Sequence, residues 1–236
     1  WHVDGEPTEN GFDHSYWMRD HGRFFNPKRH YQDGRPLPPV DKDADFYVTT
    51  TMPDYAIQFL EEHDDQYADR PFFLYLAFTA PHFPLHAEPE DIDRYRNTYR
   101  QGWEKIRRRR YRQQQKMGIA DGSLSAAEPE VGPPYHFPDA LEVLGPGEVN
   151  RPLPWKELTP QQRDFQAVKM AIHAAMVDRM DREIGRVLAQ LRAMDAFDNT
   201  LLFFLSDNGA SAEIMVRDDG HDPTAPPGSA ATYLCL

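Results

Sequence analysis

Two short, unbroken apolar runs constrain the fold of this 236-residue chain more than any other feature of its sequence. They occupy residues 72–78 (FFLYLAF) and 201–205 (LLFFL). A continuous apolar run of this length is typical of a strand that is buried on both faces, as the strands of a parallel sheet are. Both runs are far shorter than the roughly 18 to 20 apolar residues that a membrane-spanning helix requires. The sequence therefore predicts two buried strands and no transmembrane segment.

A helical pattern precedes each run. Apolar residues at helical spacing predict a short amphipathic helix that begins at Asp54 and ends before Asp64. A longer helix is predicted to begin after Thr159, because Pro160 suits the first helical position and Gln162 completes a capping box. This alternation predicts an α/β fold with a mostly parallel sheet sandwiched by helices. The apolar stripe of the longer helix comprises Val168, Ile172, Met176, Met180, Ile184, Val187, Leu188 and Leu191.

The remaining segments are predicted to contain little sheet. The first forty residues are rich in turn formers with interleaved aromatic residues, which indicates a loop. A Pro- and Gly-rich insertion at about residues 83–158 contains a predicted helix over residues 92–117. The basic run at residues 105–112 within it is interpreted as a solvated helix face, with nucleic-acid binding as the less favoured alternative.

Composition excludes several classes of function. The 26 Lys and Arg residues against 38 Asp and Glu residues give a net charge of −12, which argues against nucleic acid as a partner. The one cysteine, Cys235, excludes an intrachain disulfide framework and a multi-cysteine zinc site. The sequence has neither a phosphate-binding glycine loop nor a Gly-x-Ser-x-Gly nucleophile motif.

Polar residues follow both apolar runs, where a parallel sheet binds its ligands. His82 and His86 follow the first run, and Asp207 and Asn208 follow the second. Asp and Asn oxygens suit Ca²⁺ or Mg²⁺, and a histidine can transfer a proton near neutral pH. Taken alone, however, Asn208-Gly209 also predicts a turn, and a single histidine is frequently structural. The residues by themselves leave both interpretations open.

The arrangement of several motifs along the chain resembles the sulfatase family, specifically arylsulfatase-like members of the alkaline phosphatase superfamily. The matching stretches occur in the family's order and span nearly the whole chain. They are Trp1-His2, Gly11-Phe12-Asp13, residues 71–86 (PFFLYLAFTAPHFPLH), 99–118, 170–191 (MAIHAAMVDRMDREIGRVLAQL) and 199–210 (NTLLFFLSDNGA).

The resemblance implies a role for each candidate residue. Asp207 and Asn208 would be ligands of a divalent cation, usually Ca²⁺, that also holds a sulfate oxygen. His82 would be the general acid that protonates the leaving oxygen, and His2 would position the nucleophile. His86 would line the substrate pocket. The implied substrate is a small-molecule or carbohydrate sulfate ester.

The sequence also departs from the family pattern. The family's nucleophile is a formylglycine made within a Cys/Ser-x-Pro-x-Arg motif, and the chain contains neither this motif nor the paired N-terminal aspartates of the metal site. Residues 1–236 are therefore expected to be the central part of a sulfatase catalytic domain, incomplete at both ends and inactive alone. The alternatives are a phosphodiesterase or phosphonate hydrolase of the same superfamily, and a non-catalytic remnant. The resemblance implies a periplasmic, secreted or lysosomal location, and the oligomeric state is left open.

Overall fold

The computed structural model describes residues 5–20, 22–42, 44–131 and 145–210. These residues divide into two compact units. The first unit comprises residues 5–86 and 176–207, and the second comprises the described residues between 87 and 175 together with 208–210.

The first unit opens with a small antiparallel sheet, which follows a 3₁₀ turn at Pro7–Asn10. Its strands are β1 (Tyr16–Met18), β2 (His30–Gln32) and β3 (Arg35–Pro36), in the order β1-β2-β3. Asp33 and Gly34 connect β2 to β3 with φ values of 49° and 75°, the conformation that a two-residue hairpin requires. The prediction of a loop across the first forty residues was wrong here, because the turn formers connect strands.

Helix α1 (Val48–Tyr67) packs against the second half of helix α4 (Pro160–Ala193) to form the core of the first unit. Helix α1 begins before the predicted start at Asp54 and ends after the predicted end. Its first residue, Val48, is fully buried, and this packing places the first turn earlier in the chain. The buried contacts join Ala56 and Leu60 to Val187 and Leu191. Partly buried side chains around this core are Ile57, Phe72, Leu74, Leu76, Leu188, Met194 and Phe197.

Helix α4 begins as the sequence predicts. The backbone N–H of Gln162 donates to Oγ1 of Thr159 at 3.2 Å, and the backbone N–H of Thr159 donates to Oε1 of Gln162 at 2.9 Å. This reciprocal pair is the predicted capping box. Although α4 has 34 residues, none of the described helices is both long and apolar enough to cross a membrane.

An arginine also joins α1 to α4. Arg186 Nη2 donates to Oδ1 of Asp54 at 2.6 Å, and its Nη1 donates to Oε2 of Glu183 at 2.6 Å. The hydrogen bonds to Glu183 and then to Asp54 raise the pKa of Arg186 above its ordinary value. The guanidinium therefore bridges the two helices at the edge of their apolar contact.

The two apolar runs differ from the prediction of strands buried on both faces. Residues 72–78 alternate between half-buried and exposed side chains, with Phe73 79% exposed and Tyr75 64% exposed. All five residues of 201–205 are exposed. A strand needs hydrogen bonds to a neighbouring strand, and in the described ranges no strand pairs with either run.

The second unit contains helices α2 (Pro89–Tyr95) and α3 (Trp103–Lys116), separated by a 3₁₀ turn at Tyr99–Gln101. The single helix predicted over residues 92–117 is therefore interrupted. Gly102 causes the break, because its φ of +88° is incompatible with a helix. The ring of Trp155 lies so close that a Cβ on Gly102 would be 2.7 Å from Trp155 Cγ.

An ion pair with the buried carboxylate of Glu148 attaches the loop around this residue to the first half of α4. Lys169 Nζ lies 2.7 and 2.8 Å from the two carboxylate oxygens of Glu148. Gln166 Nε2 donates to Oε1 of the same carboxylate at 2.7 Å. These contacts satisfy the hydrogen-bonding capacity of the buried carboxylate and hold this segment in place. That residues 83–158 are an insertion stays a prediction.

Candidate active site

His82 lies in a turn directly after residues 72–78, where its backbone N–H donates to the carbonyl oxygen of Thr79 at 2.9 Å. Its side chain is exposed. Ring atom Nδ1 lies 2.6 Å from the carbonyl oxygen of Phe83. Because a carbonyl oxygen only accepts, this contact places a hydrogen on Nδ1 and leaves Nε2 to exchange a proton with a bound group. The geometry is suited to general acid or base catalysis.

Buried residues anchor the loop that carries His82 on both sides. Ala80 is 5% exposed and Ala87 is 0% exposed. Pro84 is among the most completely buried residues, and the peptide bonds that precede Pro81 and Pro84 are cis. The exposed imidazole is therefore held on a short segment whose neighbours are fixed by packing.

His86 lies at the far end of the same loop and is fully buried, with 0% exposure. Its ring meets that of Phe24 edge-on at a centroid distance of 5.4 Å and lies 5.8 Å from that of Phe25. Its carbonyl oxygen accepts a hydrogen bond of 2.8 Å from the hydroxyl of Tyr47. In the described structure His86 anchors the loop, and its contact with a substrate stays a prediction.

Asp207 and Asn208 lie in an exposed bend that Ser206 separates from residues 201–205. Carboxylate and amide oxygens are the hard donors that Ca²⁺ prefers, and Ca²⁺ takes roughly six to eight of them. The two residues therefore fit part of a calcium site, and further oxygens are needed to complete it. Over the described ranges, no group of three or more His, Cys, Asp or Glu side chains is gathered to hold a metal ion. The assignment of these two ligands stays a prediction.

The remaining candidate, His2, lies outside the described residues. The sequence prediction missed the aromatic residues that hold the loop, namely Tyr47, Phe24 and Phe25. The cluster of aromatic residues early in the chain was a visible signal of packing. It carried no information on which distant loop the rings would contact.

Comparison with known proteins gives consistent matches. The sulfatase family model matches residues 2–231. An uncharacterised sulfatase of Schizosaccharomyces pombe is 29% identical over 233 residues, which cover 91% of this chain and 38% of that protein. The arylsulfatase of Klebsiella aerogenes is 30% identical over 226 residues, covering 89% of this chain and 43% of the enzyme. The N-sulphoglucosamine sulphohydrolase of Homo sapiens is 32% identical over 152 residues, covering 64% of this chain and 23% of the enzyme.

The chain belongs to the sulfatase family, because the family model matches nearly all of it. The family predicted from the sequence motifs is thus confirmed, and so is the α/β fold class. The chain spans 38% and 43% of the lengths of the first two relatives.

Proposed function

We propose that the full-length protein hydrolyses sulfate esters and that this chain carries the general acid and part of the metal site. The family match supports the reaction class. The observation that carries the proposal is the exposed imidazole of His82. Its Nδ1 donates a hydrogen bond of 2.6 Å to the carbonyl oxygen of Phe83. Because this contact occupies Nδ1, Nε2 is the ring nitrogen that would serve a reacting group.

His82 has a defined chemical task in this proposal. Cleavage of the sulfur–oxygen bond leaves negative charge on the departing alcohol or phenol oxygen. Protonated His82 donates its Nε2 hydrogen to that oxygen, while Nδ1 keeps its hydrogen bond to the carbonyl oxygen of Phe83. The ring therefore needs no reorientation during proton transfer.

Asp207 and Asn208 would supply oxygen ligands for the cation. When bound, Ca²⁺ would offset the negative charge of the sulfate oxygens and so lower the cost of nucleophilic attack. The two residues are adjacent and exposed, so both side chains are accessible to an ion from solvent. The formylglycine nucleophile is expected outside this chain, since no Cys or Ser here lies in the required motif.

The leaving group provides the sharpest test of His82. Phenyl sulfate has a basic leaving oxygen that needs protonation, whereas 4-nitrophenyl sulfate has a stabilised one. In the full-length protein, we expect His82→Gln to lower kcat for phenyl sulfate by about 10²- to 10⁴-fold and to affect 4-nitrophenyl sulfate less.

His63→Gln is the matched control. Its ring Nε2 also contacts a backbone carbonyl oxygen, that of Arg70 at 3.0 Å, and it lies in the same unit. We expect both activities of this variant to equal those of the wild type. If His82→Gln lowered kcat equally for the two substrates, the general-acid role would be contradicted.

The metal ligands are tested by removing the ion. Chelation of the full-length protein is expected to abolish turnover, and added Ca²⁺ is expected to restore it. Asp207→Ala should weaken Ca²⁺ binding in a calorimetric titration, which does not depend on activity. A titration identical to that of the wild type would exclude Asp207 as a ligand.

Substrate screening separates the proposed function from its alternatives. Aryl sulfates and sulfated sugars are both included, because the similar proteins are named for an aryl sulfate and for N-sulphoglucosamine. Faster turnover of bis(4-nitrophenyl) phosphate than of any sulfate ester would indicate a phosphodiesterase. Absence of turnover on either class would favour a non-catalytic protein. The proposed location remains the periplasm, the lysosome or the exterior of the cell.

A further inference from the structure

Helix α3 presents an exposed row of positive charges, here called the cationic stripe. Its members recur at spacings of three and four residues, so they fall within an arc of about 100° on one face of the helix. From first to last, the stripe is about 16 Å long at the helical rise per residue. Its side chains are all exposed. They are Lys105, Arg108, Arg109, Arg112 and Lys116.

The charges of the cationic stripe are not neutralised within the part of the chain that the structure describes. Ion pairs there involve other cations, such as Arg100 with Asp164 at 3.0 Å. The one acidic residue of α3, Glu104, lies one turn before Arg108, and its carboxylate accepts the backbone N–H of Trp155 at 2.8 Å. Like charges four residues apart destabilise a helix, so the stripe costs stability in the absence of an anionic ligand.

We propose that the cationic stripe binds a sulfated polysaccharide. A linear polymer with a sulfate group on successive sugars complements a straight row of guanidinium and ammonium groups in charge and in shape. Arginine is also well matched to tetrahedral oxyanions, because its planar fork donates two parallel hydrogen bonds. The inference deepens and rests on the proposed function, since the polymer would be a sulfate ester of the class that the protein hydrolyses.

The surroundings of the stripe favour a polysaccharide over a nucleic acid. Proteins that bind single-stranded nucleic acids combine positive charge with exposed aromatic rings on which bases stack. The stripe contains no aromatic residue, and the neighbouring Tyr111 is half-buried with its hydroxyl donating to the carbonyl oxygen of Asp121 at 2.8 Å.

Binding of dextran sulfate to the full-length protein tests the inference. The variant replaces three stripe residues: Arg108→Gln, Arg109→Gln and Arg112→Gln. At about 50 mM salt we expect its affinity to fall by at least about tenfold, because neutralised contacts no longer release counterions. The slope of log affinity against log salt should decrease by about two to three for the same reason. Uncharged dextran should not bind to either protein.

The control changes three exposed cations elsewhere: Arg35→Gln, Lys42→Gln and Lys156→Gln. It has the same net charge as the stripe variant, and we expect it to bind dextran sulfate within about twofold of the wild type if the stripe makes the contacts. Equal weakening in the two triple variants would overturn the inference. Binding of duplex DNA as tight as that of dextran sulfate would also overturn it.

Hydrolysis of 4-nitrophenyl sulfate separates this inference from the proposed function. The stripe variant should keep the wild-type kcat and KM for this small substrate, which does not reach along the helix. Stripe-dependent binding without any sulfate hydrolysis would support the ligand chemistry and contradict the proposed function. Sulfate hydrolysis with binding that is independent of the stripe would contradict the inference alone.

Discussion

Asp20 shows how a single carboxylate organises the early part of the first unit. Its Oδ2 accepts the backbone N–H groups of Lys28 and Arg29, both at 2.8 Å, and its Oδ1 accepts the Nε of Arg29 at 2.7 Å. Burial opposes ionisation, but the hydrogen bonds from Arg29 and the backbone outweigh it and lower the pKa of Asp20. The folded state therefore stabilises the charged form of this carboxylate.

A lowered pKa makes this stabilisation depend on pH. It is fully present above the ordinary pKa of an aspartate and is lost as the pH falls through the lower pKa of the folded state. We expect Asp20→Asn to reduce the free energy of unfolding at neutral pH by about 1 to 3 kcal/mol. Urea denaturation of both proteins at neutral and strongly acidic pH checks the prediction, and the difference should shrink in acid.

Asp93→Asn is the comparison for this experiment. Asp93 also pairs with an arginine, Arg96, but its side chain is 61% exposed, whereas that of Asp20 is 6% exposed. An exposed pair contributes little, so we expect a change below about 1 kcal/mol. If Asp20→Asn lost the same free energy at every pH, the charge of Asp20 would not be the cause.

Gly102 separates the 3₁₀ turn at Tyr99–Gln101 from helix α3. Its environment predicts that substitution strongly lowers stability. A Cβ there would meet the ring of Trp155 at 2.7 and 2.8 Å, and the φ of +88° is unfavourable for any L side chain. We expect Gly102→Ala to lower the free energy of unfolding by roughly 2 to 4 kcal/mol, through the strained φ and the displaced indole. Thermal and urea unfolding of the variant measure the loss.

Gly118→Ala isolates the backbone part of that effect. Gly118 has a similar φ of +72°, but nothing lies within 4 Å of the Cβ that would be added. We expect a loss of only about 1 kcal/mol, which represents the cost of the backbone conformation. Equal losses in the two variants would show that the contact with Trp155 does not matter.

Local signals explain which elements could be predicted from the sequence. The start of α4 was predictable because Thr159 and Gln162 form a capping box within four neighbouring residues. The break at Gly102 was not, since it depends on the ring of Trp155, which is distant in the sequence. The hairpin at Asp33-Gly34 had a local signal, but the general richness in turn formers obscured it.

The same limit applies to the candidate site. His82 and Asp207 could be selected because each follows an apolar run, and the roles that the family resemblance implies for them stay predictions. The burial of His86 could not be inferred, because Phe24 and Tyr47 enclose it from elsewhere in the chain. Sequence patterns thus indicate where chemistry is concentrated, while packing decides which side chains face solvent.

At the scale of the whole molecule, residues 201–205 expose an unusual amount of apolar surface. Leu201, Phe203 and Phe204 are each 78% exposed, and Leu205 is 81% exposed. A contiguous exposed run of strand-forming residues is a surface on which chains associate. We therefore expect the 236-residue chain, produced by itself, to self-associate. Sedimentation velocity over a range of concentrations measures this.

Lysines in the run should reduce that association, because charge on a strand edge opposes pairing between chains. We expect Phe203→Lys with Leu205→Lys to shift the isolated chain toward the monomer. Gln161→Lys with Asn199→Lys adds the same charge at exposed polar positions and should leave association unchanged. If both pairs acted equally, net charge rather than the apolar run would control association.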